Sequence, residues 1–193
     1  MTKVKKAARR LEKADREITH KAASKHDTPP MRMAANVGEL ADQPPLIALS
    51  AATLAIGLIL RHRSVAGAGA RMLASHLLAT AAKEVVKRSI DRTRPHSVKK
   101  GHDYKLEPGD DRSHHYSSFP SGHTAGAVAV ARAAARVWPD GTPVLSLVAA
   151  GAGAIQVPIA KHYVSDVVAG AVIGLASEWL VDAVVRTAMR DDA

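Results

Sequence analysis

The sequence contains no cysteine and very few aromatic residues, and both absences limit what the protein can be. Without cysteine there is no disulfide framework and no thiolate metal site. Aromatic residues make up 3% of the 193-residue chain although 47% of it is hydrophobic, so the apolar mass is mostly Ala, Val, Leu and Ile. This composition is typical of closely packed helices with small residues at their contacts.

Acidic residues are in the minority, at 18 Asp and Glu against 27 Lys and Arg, which gives a formal net charge of +9. A basic balance indicates an anionic partner, which can be nucleic acid, a membrane surface or a phosphorylated substrate. The mass of 20.3 kDa fits one domain. The basic first ten residues are not followed by an apolar stretch, so we expect no secretory signal.

Residues 1–26 carry apolar residues at helical spacing among many lysines and arginines, which predicts a basic amphipathic helix. Such a helix is either a solvated surface helix or one that lies on an anionic bilayer. We expect the proline pairs at 29–30 and 44–45 to break the chain. The chain is therefore divided into an N-terminal basic segment, 1–43, and a helical bundle domain, 44–193.

Long hydrophobic runs are also scarce. The cleanest run, 46–60, is shorter than the ~20 residues of a full membrane span. Further helices are predicted at 66–93, 123–138, 143–160 and 164–189, with a polar loop at 96–119. The predicted fold class is all-α: a membrane-embedded bundle of about five apolar helices plus the basic N-terminal helix. A soluble bundle remains the alternative, because the mean hydropathy is only −0.06.

Three short segments carry candidate chemistry, and the first contains two cations. Lys87 and Arg94 are seven residues apart, nearly two helical turns, so they are predicted to share a helix face near the end marked by Pro95. Alone, such a pair can simply complement the helix dipole.

The tetrapeptide Pro120-Ser121-Gly122-His123 precedes a predicted helix. Ser121 is a natural N-cap, and the free amides after it can bind an anion, to which Gly122 allows close approach. His123 would project from the first turn towards that anion. A plain turn with an incidental histidine is the alternative.

His162 and Asp166 are four residues apart, on one face if they are helical. A carboxylate at this spacing can accept from one ring nitrogen and leave the other nucleophilic. A surface pair is the alternative, but the position between two apolar helices favours a buried, functional one.

In this order, the segments resemble the type 2 phosphatidic acid phosphatase family, which also includes vanadium haloperoxidases and bacterial acid phosphatases. The family's first motif is Lys, six residues and Arg-Pro, matched from Lys87 to Pro95, and its second, Pro-Ser-Gly-His, is intact. Of the third motif, Ser-Arg, five residues, His, three residues and Asp, only His162 and Asp166 match. Ile155 and Gln156 replace the Ser-Arg pair.

The resemblance implies a role for each matching residue. His162 would attack phosphorus and form a phosphohistidine, Asp166 would hold its ring, and His123 would protonate the leaving alkoxide. The phosphate oxygens would be bound by Lys87, Arg94, Ser121 and the Gly122 amide. Gln156 stands where the family has a phosphate-binding arginine, so it would supply hydrogen bonds without charge. Lys161 is a candidate to compensate.

The function expected from this resemblance is a membrane-bound phosphatase that hydrolyses a phosphomonoester or diphosphate of a glycerolipid or polyprenyl lipid. It needs no metal or cofactor and has no nucleic-acid partner. Two alternatives stay open: a vanadium-dependent haloperoxidase, and a non-catalytic membrane protein with a degraded site. We expect the bacterial inner (plasma) membrane as its location. The basic N-terminal segment favours a cytoplasmic catalytic face, although relatives with an additional leading helix usually face the other way.

Overall fold

The computed structural model describes residues 3–25, 27–111 and 113–191, and within them the fold is a helical bundle. Its helices are α1 Lys3–Ala22, α2 Pro29–Gly38, α3 Gln43–Ile59, α4 Arg63–Lys87, α5 Pro95–Lys99, α6 Gly122–Val137, α7 Thr142–Ala154 and α8 Val164–Asp191. Strands β1 Ile90–Arg92 and β2 Leu106–Pro108 form a small antiparallel ribbon in which Asp91 pairs with Glu107.

Helix α6 is the centre of the bundle and packs against α3, α4, α7 and α8. Its buried face is mostly alanine, which lets neighbouring helices approach closely. The approach is tightest against α8, where a Cβ atom at Gly170 would overlap the Ser121 carbonyl oxygen, and one at Gly174 would overlap that of Ala125. These glycines bring the start of α8 against the start of α6.

The predicted class of an all-α, membrane-embedded bundle is confirmed, with α3, α4, α6, α7 and α8 as its five apolar helices. Among the described residues, Val164–Arg190 is the one helix long and apolar enough to cross a membrane alone, and 28% of its most apolar window is buried. The bent pair Pro29–Ala41 and Gln43–Ile59 passes the same test together. Large apolar side chains are exposed around the bundle, including Leu49, Ile56, Ile59, Leu77, Val85, Leu147, Val148, Val168, Val172, Trp179 and Val184. An exposed apolar surface of this extent fits contact with lipid.

Several predicted boundaries are wrong at prolines. The pairs 29–30 and 44–45 do not break helices but begin α2 and α3, because a proline is tolerated in the first helical turn, where its missing N–H needs no partner. Helix α7 ends at Ala154 rather than at 160. The ring of Pro158 would clash with the carbonyl four residues earlier if the helix continued.

The segment after α4 also differs from the prediction. Helix α4 ends at Lys87 rather than at residue 93, so Lys87 and Arg94 do not share a helix face. Arg94 instead has extended backbone angles and caps the start of α5. The predicted loop 96–119 contains most of α5 and all of β2. The predicted basic helix is confirmed as α1, although residues 1, 2 and 26 lie outside the described residues.

All motif segments lie at one end of the bundle, at the end of α4 and the starts of α6 and α8. The α6–α7 turn lies at the other end.

With the basic α1 docked at the motif end, the positive-inside rule predicts that this end faces the cytoplasm. Single cysteines at the exposed residues Ser113 and Asp140 test the orientation in the otherwise cysteine-free chain. An impermeant thiol reagent added to intact cells should label position 140 and not 113, while both react after permeabilisation. The reverse pattern would place the motif end outside.

Candidate active site

The His162 ring is fixed by a backbone carbonyl and by a nearby carboxylate. Its Nδ1 atom lies 2.7 Å from the Ser118 carbonyl oxygen and 3.6 Å from Asp166 Oδ2. A carbonyl oxygen can only accept, so Nδ1 carries the proton and Nε2 keeps its lone pair. The structure therefore leaves Nε2 as the nucleophilic nitrogen. His162 lies just before α8, so the condition that both residues are helical is not met, although the two groups are close.

Asp166 is completely buried, and both of its carboxylate oxygens accept hydrogen bonds. Oδ2 accepts from Ser118 Oγ at 2.6 Å and from the Tyr163 amide at 2.9 Å, and Oδ1 accepts from Arg92 Nη1 at 2.5 Å. Asp166 thus fixes Ser118, whose carbonyl holds the His162 ring, and adds a negative charge beside it. Sequence reasoning missed Arg92 and Ser118; the only signal for Arg92 is its place two residues before Arg94.

The electrostatic surroundings keep His162 neutral. Burial, with smaller contributions from Arg94 and Lys87, lowers the pKa of His162 to about 4 against the opposing effect of Asp166. Burial also lowers the pKa of Arg94, but an arginine remains charged at neutral pH. Arg94 Nη2 reaches the Ser117 carbonyl oxygen at 3.3 Å, while its Nε has no partner among the described residues. The site combines a neutral imidazole with an arginine whose Nε has no partner among the described residues.

The start of α6 forms as the sequence predicts. Ser121 caps the helix by accepting from the Thr124 amide at 3.4 Å and from Thr124 Oγ1 at 2.9 Å. Its own amide donates to the Asp166 carbonyl at 3.0 Å, which ties the tetrapeptide to α8. A Cβ atom at Gly122 would lie 3.1 Å from Lys83 Nζ. Lys83 is a further cation that the motifs do not include, although its place one turn before Lys87 was a usable signal.

His123 lies beside two carboxylates that sequence reasoning did not find. Its Nε2 atom is 3.9 Å from Glu39 Oε2 and 3.8 Å from Asp42 Oδ1, too far for hydrogen bonds. These three residues are the one group in the described part of the chain whose atoms are close enough to share a metal ion. Lys161 forms an ion pair with Glu39, so its predicted compensation for Gln156 is not what the structure shows.

Gln156 is buried in the turn between α7 and α8. Its Nε2 donates to the Ala152 carbonyl oxygen at 3.2 Å, and its Oε1 has no partner among the described residues. The Gln156 carbonyl oxygen accepts from the amides of Lys161 and His162, both at 3.1 Å. Its backbone therefore supports the nucleophile, whereas its side chain supplies no positive charge.

Comparisons with known proteins agree with this arrangement. The family model described as "PAP2 superfamily" matches residues 68–190. The crystal structure of LpxE from Aquifex aeolicus is similar, with a TM-score of 0.62 and 21% identity over 86% of this chain and 92% of that one. The crystal structure of a transmembrane PAP2-type phosphatidylglycerolphosphate phosphatase from Bacillus subtilis also has a TM-score of 0.62, with 20% identity over 92% of this chain and 87% of that one. A search of curated protein sequences gives no significant match.

At these identities the two structures show the fold, while the family model covers more than half of the chain and contains all the motif residues. The chain belongs to the PAP2 superfamily.

Proposed function

We propose that the protein is a membrane-bound lipid phosphate phosphatase that works through a phosphohistidine on His162. The observation that carries this proposal is the buried, neutral His162 ring. Its Nδ1 atom donates a hydrogen bond to the Ser118 carbonyl oxygen, which leaves the lone pair on Nε2, and the cations Lys87 and Arg94 act on it. A nucleophile that is uncharged at neutral pH and surrounded by fixed positive charge suits attack on an anionic phosphate.

The proposed reaction has two displacements at phosphorus. In the first, Nε2 of His162 forms the N–P bond while the bond to the leaving oxygen breaks, and His123 gives its proton to that oxygen. In the second, His123 takes a proton from water, whose oxygen displaces His162 and releases inorganic phosphate. Lys87, Arg94, the Ser121 hydroxyl and the Gly122 amide bind the phosphate oxygens throughout, and this chain's residues supply every group that these steps need.

An apolar cavity supports a lipid as the substrate. It has a volume of about 720 Å³ and lies between α6, α7 and α8, lined by residues such as Val128, Ala150, Val167 and Leu175. Thr124, which donates to Ser121 Oγ, lies in its wall, so the cavity begins beside the proposed phosphate site. A hydrocarbon chain fits these surroundings, and a glycerolipid phosphate, as in the name of the Bacillus subtilis relative, is one candidate beside a polyprenyl phosphate or diphosphate.

The direct test is phosphate release by the purified protein from a panel of glycerolipid and polyprenyl phosphates and diphosphates. His162→Ala should abolish turnover without loss of the folded, monodisperse protein, because it removes the Nε2 atom that forms the N–P bond in the proposed first step. His123→Ala should slow turnover, and less so for a substrate with a better leaving group, which needs less proton donation. Retained turnover in His162→Ala would rule out this nucleophile. Vanadate-dependent halide oxidation without phosphate release would favour the haloperoxidase alternative.

The pH dependence of turnover tests the protonation state of His162. The nucleophile must be unprotonated, and its pKa of about 4 lies below the ordinary 6.5. As the pH falls, kcat/KM should not decline through pH 6.5, and the loss caused by protonation of His162 should appear only near pH 4, after correction for ionisation of the substrate phosphate and of the proton donor His123. A decline centred near pH 6.5 would show that His162 is not held in the neutral form.

Replacement of Gln156 by arginine tests whether this residue adjoins the phosphate. The Gln156→Arg variant adds charge where the family has an arginine and should tighten inhibition by inorganic phosphate. A charged hydrogen bond contributes roughly 1–3 kcal/mol, although repulsion from Lys87 and Arg94 offsets part of it. Gln156→Met, of similar size without polar atoms, is the matched control. An inhibition constant equal to that of the wild type in the arginine variant would show that residue 156 does not adjoin the phosphate.

A further inference from the structure

Helix α1 contributes one shielded carboxylate to the surroundings of the active site. The Asp15 side chain is 11% exposed, although most of its neighbours on α1 are exposed. Asp15 Oδ2 accepts from Arg92 Nη2 at 2.7 Å and from Ser165 Oγ at 2.5 Å, and Oδ1 accepts from the Ser165 amide at 3.1 Å. These contacts fix Asp15 to the β1 strand and to the first turn of α8.

Arg92 connects Asp15 to the carboxylate beside the nucleophile. Its Nη2 atom binds Asp15, while its Nη1 atom donates to Asp166 Oδ1 at 2.5 Å and to Ser165 Oγ at 2.6 Å. Its side chain is 3% exposed, and its Cζ atom lies 3.9 Å from the centre of the Tyr163 ring. Burial opposes the charge, yet Asp166 and Asp15 raise the pKa of Arg92 above its ordinary value, so it is a permanent cation. The planar guanidinium is thus oriented by a carboxylate at each terminal nitrogen.

We propose that Asp15 is a positioning residue for Asp166, acting through Arg92, so that helix α1 completes the active site. This inference rests on the proposed function, because it assumes turnover at His162. Asp15 lies outside residues 68–190, the segment that the superfamily model matches. Without the Asp15 charge, the Nη2 atom of the buried Arg92 guanidinium loses its anionic partner, and the Arg92 side chain can reorient away from Asp166. The carboxylate would then hold Ser118 and the His162 ring less firmly.

The competing role for Asp15 is to dock helix α1 on the rest of the protein. The structure allows an experiment to separate this role from the positioning of Asp166. Helix α1 has other contacts with the body of the protein, including Arg16 stacked 4.0 Å from the centre of the Tyr104 ring and a hydrogen bond from Lys99 to the Ala23 carbonyl at the end of the helix. We therefore expect α1 to remain docked in Asp15→Asn, which keeps the shape of the side chain and one acceptor oxygen.

The test measures kcat and KM of the 193-residue protein for phosphate release in detergent micelles, with the lipid of the panel that the wild type hydrolyses fastest. Asp15→Asn should lower kcat about 10- to 100-fold, the usual effect of losing an orienting partner, with KM changed by less than about twofold. Asp15→Glu keeps the charge and should recover part of kcat. Glu17→Gln, which removes an exposed carboxylate from the same helix, should match the wild type.

A double-mutant cycle tests whether Asp15 acts on the active site through Arg92. Arg92→Gln should lower kcat at least as much as Asp15→Asn, and adding Asp15→Asn to it should cause little further loss. Additive losses would overturn the proposal, because Asp15 would then act by another route. It would also be overturned if Asp15→Asn lowered thermal stability but left kcat unchanged, or raised KM alone. Should Asp15→Asn fail to fold, Asp15→Glu carries the same comparison of kcat with KM.

Wild-type and His162→Ala proteins in the same assay separate the two proposals. No phosphate release by the wild type from any lipid of the panel, or undiminished release by His162→Ala, refutes the proposed function and with it the role of Asp15. Release by the wild type that is lost in His162→Ala but unaffected in Asp15→Asn refutes the role of Asp15 alone.

Discussion

The buried carboxylate of Asp166 is the group on which the motif segments converge. It accepts from Ser118, Tyr163 and Arg92, and its backbone carbonyl accepts from the Ser121 amide. A carboxylate with no exposed surface is tolerated only when it is paired and fully hydrogen-bonded. The requirement to satisfy this one charge brings the β1 strand, the segment before α6 and the start of α8 into one place, and His162 is positioned by the same contacts.

The distribution of the other charges distinguishes the active end of the bundle from a merely structural ion cluster. At the far end, Glu178 accepts from Arg136 at 2.8 Å and Asp182 lies 3.0 Å from Arg186, so these two arginines have acidic partners. At the motif end, Arg94 and Lys87 both act on His162, and the Arg94 Nε atom has no partner among the described residues. Cations in an apolar bundle are costly unless something balances them. Arg94 is therefore suited to a bound anion, whereas Arg136 and Arg186 are already paired.

The sequence was most informative where residues of one function are close in the chain. The Pro-Ser-Gly-His turn forms the predicted cap, and the spacing of His162 and Asp166 predicted that they are neighbours. The periodicity of the sequence could not predict the contact of Asp15 with Arg92, because the two residues are 77 positions apart. In addition, an acidic side chain on a basic helix ordinarily faces solvent. The missed helix α2 has a local cause: a proline pair starts a helix as readily as it ends one, and only the tertiary structure decides.

In the turn between α7 and α8, backbone hydrogen bonds of residue 156 help to position His162, whereas its side chain bears on the proposed phosphate site. Pro158 ends α7 early, and the chain then reverses so that the Gln156 carbonyl accepts from the amides of Lys161 and His162. Any residue at 156 can make these backbone hydrogen bonds, so the loss of the family arginine does not displace His162. The Ser118–Asp166–Arg92 contacts also keep the imidazole in place whatever the side chain at 156. We therefore expect variation at this position to change phosphate binding rather than the position of His162.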